Sequence, residues 1–306
     1  MIDPQEMEAD PTQADRGVLA CAERRAALFF KLLDQLRDDD DIELVHDIRV
    51  ASRRLAEGLA VMKAVIDGDG LATFLIWLRQ ARSLLAPVRD PDVMRQLLDD
   101  LIKAKPALGK RRFSAAFADV LRLQRQYQLV DARFQLAPVE VLARREELAE
   151  VLAEGLDRAG GAETVEEAAG RQLLRRVVRR RRAFRRLARR AAKSGRPRRL
   201  HAARIAGKKI RYALELAHDA RLLDAAQEVK ALRGLQDRLG DLNDLNVMKA
   251  QIKAFAERAG ADERVGMDRV IAQVARRQRR LVKDFVKEWP LVRRRLRKAK
   301  ARPITV

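Results

Sequence analysis

The chain has 306 residues, enough for one large or two ordinary domains, and at 47% hydrophobic residues it is apolar enough to bury a core. Its 65 Lys and Arg against 44 Asp and Glu leave +21, which strains the compact state unless anions neutralise it and points to nucleic acid, anionic lipid or a smaller polyanion. Aromatic residues make up only 4%, against single-strand binders that stack bases on rings, and the lone Cys21 excludes an intrachain disulfide or a thiolate metal cluster and fits a reducing cytoplasm.

Residues 1–15 are acidic and polar, lack an apolar signal core, and are expected to be disordered. Beyond them no stretch alternates in the way a half-buried strand requires, so the fold class is all-α. Helices are predicted over Val18–Asp38, Ile42–Ile66, Leu71–Leu85 and Pro91–Ala104, with further helices between Lys110 and Glu154. The acidic run Asp38–Asp41 separates the first two and supplies an N-cap. Asp90-Pro91 reads as a helix start, with Asp at the cap and Pro at the first helical position. The apolar run Leu71–Trp77 is far too short to span a bilayer. Glycines at 155, 160 and 161 mark a linker near the midpoint. The expected organisation is a first helical half over 16–156, a linker over 157–165, and a second half over 166–306 whose tail after Trp289-Pro290 is basic and frayed at Pro303.

The halves repeat each other. At an offset of 155, Arg25 meets Arg180, Phe29 meets Phe184, His46 meets His201, Arg49 meets Arg204, and Arg53-Arg54-Leu55 meets Lys208-Lys209-Ile210. At 154, Leu85 meets Leu239 and Asp90 meets Asp244. Two similar bundles of about four helices, packed about a pseudo-two-fold axis, would bring such equivalent residues to a central seam.

On the second helix of each half, one face is apolar and the other cationic. At ~100° per residue, Arg49 and Arg53 lie within about 60° of His46, while Leu44, Ile48, Leu55, Leu59 and Met62 take the opposite side. His201, Arg204, Lys208, Arg211 and Tyr212 share a face against Ala203, Ile210, Leu214 and Ala217. Any surface helix turns charges outward, but between Glu167 and Asp219 the sole acid is Glu215, and the pattern occurs twice. Arg25 and Arg180 sit on apolar stripes (Val18, Ala22, Phe29, Leu32; Leu173, Val177, Phe184, Leu187). Arg82 lies similarly with Leu71, Leu75, Leu78 and Leu85. A buried guanidinium needs a partner. Either each pairs with an internal acid, Glu57 and Glu215 being candidates, or the stripes end at a solvent-filled cationic seam.

His46 and His201 stand alone among cations, which suits hydrogen bonding to phosphate oxygen better than metal ligation. His218 has no counterpart in the repeat. The fifteen Lys and Arg between Arg171 and Arg199 could hold any polyanion nonspecifically, nucleic acid included. No glycine-rich phosphate loop, Ser-His-Asp arrangement or acid cluster for Mg²⁺ is evident.

Val45-His46-Asp47-Ile48-Arg49-Val50-Ala51-Ser52-Arg53-Arg54-Leu55 and Leu200-His201-Ala202-Ala203-Arg204-Ile205-Ala206-Gly207-Lys208-Lys209-Ile210-Arg211-Tyr212 resemble the CHAD family, the conserved histidine α-helical domain. Arg82–Asp90 and Leu235–Asp244 resemble its later elements, so the likeness runs from about residue 15 to 290; Lys110–Glu154 is not matched. The resemblance implies two four-helix bundles with internal two-fold pseudosymmetry, a basic groove or pore, and binding of inorganic polyphosphate and its granules without catalysis. The binding set so expected is Arg25, His46, Arg49, Arg53, Arg54, Arg82, Arg89, Arg180, His201, Arg204, Lys208, Lys209, Arg211 and Tyr212. Catalytic residues, metal, cofactor and membrane contact are not expected. A nucleic-acid or ribosome-associated basic protein is the alternative.

Overall fold

The computed structural model describes residues 17–66 and 69–298; the expected disorder over 1–15 and fraying at Pro303 fall outside them. Among the described residues the chain forms ten α-helices and no strand: α1 (Val18–Gln35), α2 (Ile42–Met62), α3 (Gly70–Leu84), α4 (Ala86–Ala104), α5 (Arg112–Gln135), α6 (Pro138–Arg158), α7 (Ala162–Ser194), α8 (Pro197–Asp219), α9 (Ala226–Arg258) and α10 (Met267–Lys298). None of these helices is long and apolar enough to cross a membrane. Asp41 caps α2 as its sequence suggests, the carboxylate accepting from the Glu43 amide.

Two boundaries differ from expectation, each for a local reason. The helix expected from Pro91 starts at Ala86, and Pro91 lies inside α4. Pro87 lacks the amide hydrogen that would bond the Ser83 carbonyl, so the run breaks at Leu85 into α3 and α4, whereas α9 passes unbroken through the matching Leu239. The expected linker at 157–165 narrows to Ala159–Gly161, where Gly160 and Gly161 adopt positive φ. Gly155 is no linker residue: it lies inside α6, where a Cβ would collide with Ile66, so the glycine lets α6 approach the end of the first hairpin. At the other end, α10 continues through Pro290 to Lys298, carried by burial of Phe285, Trp289, Val292 and Leu296.

The helices of the two halves follow in matching order, α1 and α2 against α7 and α8, then α3–α4 against α9, and α5 against α10; α6 has no counterpart. Each half does not own a core. The larger apolar cluster takes side chains from α1, α2 and α3 together with α7, α8 and the first part of α9. The smaller joins α4 and α5 to α9 and α10. Phe29, Phe30, Phe74 and Trp77 interlock at centroid distances of 5.3 to 6.4 Å, and burying each such side chain contributes about 1.5–3 kcal/mol. The shared core fixes α2 against α8 and α4 against α9. Those two contacts form the seam.

Candidate functional site

Burial decides the role of the stripe arginines. Arg25 Nη2 meets Asp219 Oδ2 at 2.7 Å, and its Nη1 donates to the Arg54 carbonyl at 3.1 Å. Arg180 Nη1 meets Glu57 Oε2 at 2.6 Å and donates to the Lys209 carbonyl at 2.8 Å. The two carbonyl acceptors are repeat partners, so the same bond forms in both halves. Each acid comes from the opposite half, so both pairs cross the seam. Of the two readings the sequence left open for Arg25 and Arg180, the structure shows the internal acid: each guanidinium has a carboxylate partner. Glu57 also meets Arg176 at 2.9 Å. Buried Glu215 holds Arg211 at 2.9 Å and Arg54 at 3.5 Å. Arg54 and Arg211 are therefore paired as well, Arg211 also donating to Gln236 and stacking over Tyr212. Lys209 is exposed.

A different arrangement forms further along α2 and α8. The cationic faces of those helices turn toward each other and toward α4, bringing Arg49, Arg53, Arg82 and Arg89 from the first half together with Arg204 and Lys208 from the second. Arg49 Nη1 donates to the Arg82 carbonyl at 2.7 Å, and Arg89 Nε donates to His46 Nδ1 at 3.3 Å. Among the described residues none of these six cations forms an ion pair. Their acids are Asp90 and Asp244, repeat partners that act at longer range.

The mutual field is visible in the titration behaviour. Burial, then Arg53 and Arg89, lowers Arg49 to about 10. Burial, then Arg204, Arg53 and Arg89, lowers Lys208 from 10.5 to about 7. Arg82 and Arg204 shift down as well, burial again leading, and burial pushes the Asp90 carboxyl up. So many half-buried like charges are unfavourable without a counter-anion. The buried Nε atoms of Arg49 and Arg204, equivalent in the repeat, both lack a hydrogen-bond partner. Tyr212 is 6% exposed and lies near Arg82 and Arg204.

The motif histidines are used as local supports. His46 accepts from Arg89, which leaves Nε2–H as its outward donor; burial and Arg89 lower its pKa. His201 Nδ1 lies 3.2 Å from Asn243 Oδ1, and Asn243 is the repeat partner of Arg89. His201 is exposed, at the edge of the cluster. No group of three or more His, Cys, Asp or Glu that could hold a metal occurs among the described residues, and burial pushes the Cys21 thiol up to about 11. Sequence reasoning missed Asp219 and Arg176, whose positions carry no repeat signal. It noticed Asp90 and Asp244 only as a helix start, although their correspondence was already the clue to a shared site.

The two halves thus present cations without ion pairs, among the described residues, to one another at the seam. The CHAD domain profile matches residues 20–253, and the chain belongs to the CHAD family, a family associated with polyphosphate binding. Its fold is that of the crystal structure of the CHAD domain from the plant Ricinus communis, with a TM-score of 0.62, 21% identity, and 98% of each chain covered. No curated protein matches the sequence.

Proposed function

We propose that the seam cluster binds inorganic polyphosphate without catalysis, and that the protein works in the cytoplasm on polyphosphate granules. The observation that supports this most is the pair of orphaned guanidinium nitrogens, on Arg49 and Arg204, inside a cluster of six cations drawn from both halves. Polyphosphate carries about one charge per phosphate on a thin, flexible chain, so it can enter a seam between helices that a DNA duplex cannot. Charge-assisted hydrogen bonds contribute roughly 1.5–3 kcal/mol each; a few of them give tight binding. By analogy with single-stranded nucleic acid, log affinity should fall with log salt by about 0.7 per neutralised phosphate.

The second reading, nonspecific binding of nucleic acid, is favoured by the outer face of α7. There Arg175, Arg179, Arg182 and Arg186 line an open groove floored by Leu174, Val178 and Ala183. Competition separates the two: long-chain polyphosphate is bound first, then duplex DNA and RNA are added at matched phosphate concentration. Retention of polyphosphate is the expected result; displacement at equal charge would refute the specific reading. Incubation with polyphosphate and Mg²⁺ or Mn²⁺ should release no phosphate.

A further inference from the structure

The helices α5 and α10 hold matching places in the two halves, each packed on the helix before it. Registered on their buried residues, Phe117 and Leu121 meet Val270 and Val274, while Ala132 and Leu136 meet Phe285 and Trp289. In that register the outward face of α10 holds Gln273, Arg276, Arg280, Lys283 and Lys287. On α5 the same positions hold Val120, Leu123, Tyr127, Val130 and Phe134, exposed by 44, 57, 73, 66 and 82%. The repeat therefore does not demand an apolar outer face here; α5 departs from a cationic counterpart.

The spacing of this stripe alternates three and four residues, the pattern of a coiled-coil seam. Unpartnered apolar stripes of this size mark interaction surfaces. We propose that α5 pairs antiparallel with α5 of a second copy of this chain.

Charge selects that occupant. Residues 112–158 carry seven bases and eight acids in a chain of net +21. This hairpin is where two such cationic proteins can meet without strong repulsion. Charge also selects the direction. In an antiparallel pair Val120 packs against the partner's Val130, and Leu123 against the partner's Tyr127. Asp119 then lies on the side of the partner's Arg133, whose guanidinium also donates to the Leu36 and Asp39 carbonyls of its own chain, on both sides of the two-fold axis, and Gln126 faces its own copy. A parallel pair would set Asp119 beside Gln124 and Gln126 beside Asp131, with no opposite charges matched. The antiparallel contact is isologous and closes at two chains.

Sedimentation of the full chain tests the pairing. Twice the chain mass is expected at tens of micromolar, falling to a single mass in Leu123→Glu with Val130→Glu, while helical circular dichroism and polyphosphate bound per chain stay unchanged. Asp119→Arg alone should weaken the dimer about tenfold; adding Arg133→Asp should restore it. Mild oxidation of Gln126→Cys should trap a covalent dimer, since native Cys21 is buried. A wild-type chain that stays monomeric, or a dimer that survives the double glutamate variant, overturns the proposal. Loss without charge-swap rescue or trapping at position 126 overturns the antiparallel register.

Discussion

The two ends of the seam hold the same kind of side chain in opposite states. At one end Arg25, Arg54, Arg176 and Arg180 meet Asp219, Glu215 and Glu57 across the halves. At the other, Arg49, Arg53, Arg82, Arg89, Arg204 and Lys208 face one another without an ion pair among the described residues. The paired end joins the halves. The unpaired end holds positive charge in a partly dehydrated site, the one proposed above for the polyanion. What separates a clamp from a binding site here is the placement of three carboxylates, not the number of arginines.

The largest effect should come from the unpaired end. Arg53→Ala with Arg89→Ala removes two charge-assisted contacts of about 1.5–3 kcal/mol each, so polyphosphate affinity should drop by roughly 10²- to 10⁴-fold. Thermal stability should hold or rise, because like-charge repulsion is relieved. Titration with a defined polyphosphate length, beside a melting curve, reads both; a loss below tenfold would mean the seam is not the main contact. The paired end should respond the other way. Glu57→Gln keeps the shape but leaves Arg176 and Arg180 buried without a carboxylate, which costs about 3–5 kcal/mol of stability. Measured at a temperature where both proteins are folded, binding should change little. Weakened binding with unchanged stability would reverse the assignment of the two ends.

Much of this was legible in the sequence. The fold class followed from periodicity, and the repeat located the equivalent His46 and His201, Arg49 and Arg204, and Asp90 and Asp244. Helical phase put Leu44, Ile48 and Leu55 inside and Arg49 and Arg53 on the other face, as found. Phase on one helix cannot say what the facing helix supplies, and that is where the reading stopped short. Arg25 and Arg180 looked like candidates for a cationic channel because their stripe positions were visible while Asp219, 194 residues away from Arg25 in the chain, was not. Glu57 was nameable as a partner because it stood on a neighbouring helix of the repeat. The break at Leu85 was hidden by Asp90-Pro91, a good local start signal overridden by Pro87 one turn earlier.

Lys208 gives the finest test of the comparison, because it alone in the unpaired set titrates near neutrality. Burial, then Arg204, Arg53 and Arg89, holds it at about 7 in the free protein. An anion in the seam favours its charged form and raises that value, so binding takes up a proton. Affinity should therefore fall as pH rises from about 7 toward 9, by at most about tenfold per unit, the limit for one proton. Folding carries the opposite sign. The folded value lies below the ordinary 10.5, so the unfolded chain holds more protons in between, and stability should rise with pH over that window. Below about pH 7 the full penalty of burying the charge is present. Lys208→Met should remove both slopes together, raising stability at neutral pH by roughly 1–3 kcal/mol while weakening polyphosphate binding about tenfold. Parallel binding and urea-melt series at several pH values compare the two proteins. If the variant keeps the wild-type pH profile, Lys208 does not face the anion, and the free end of the seam is narrower than its six cations suggest.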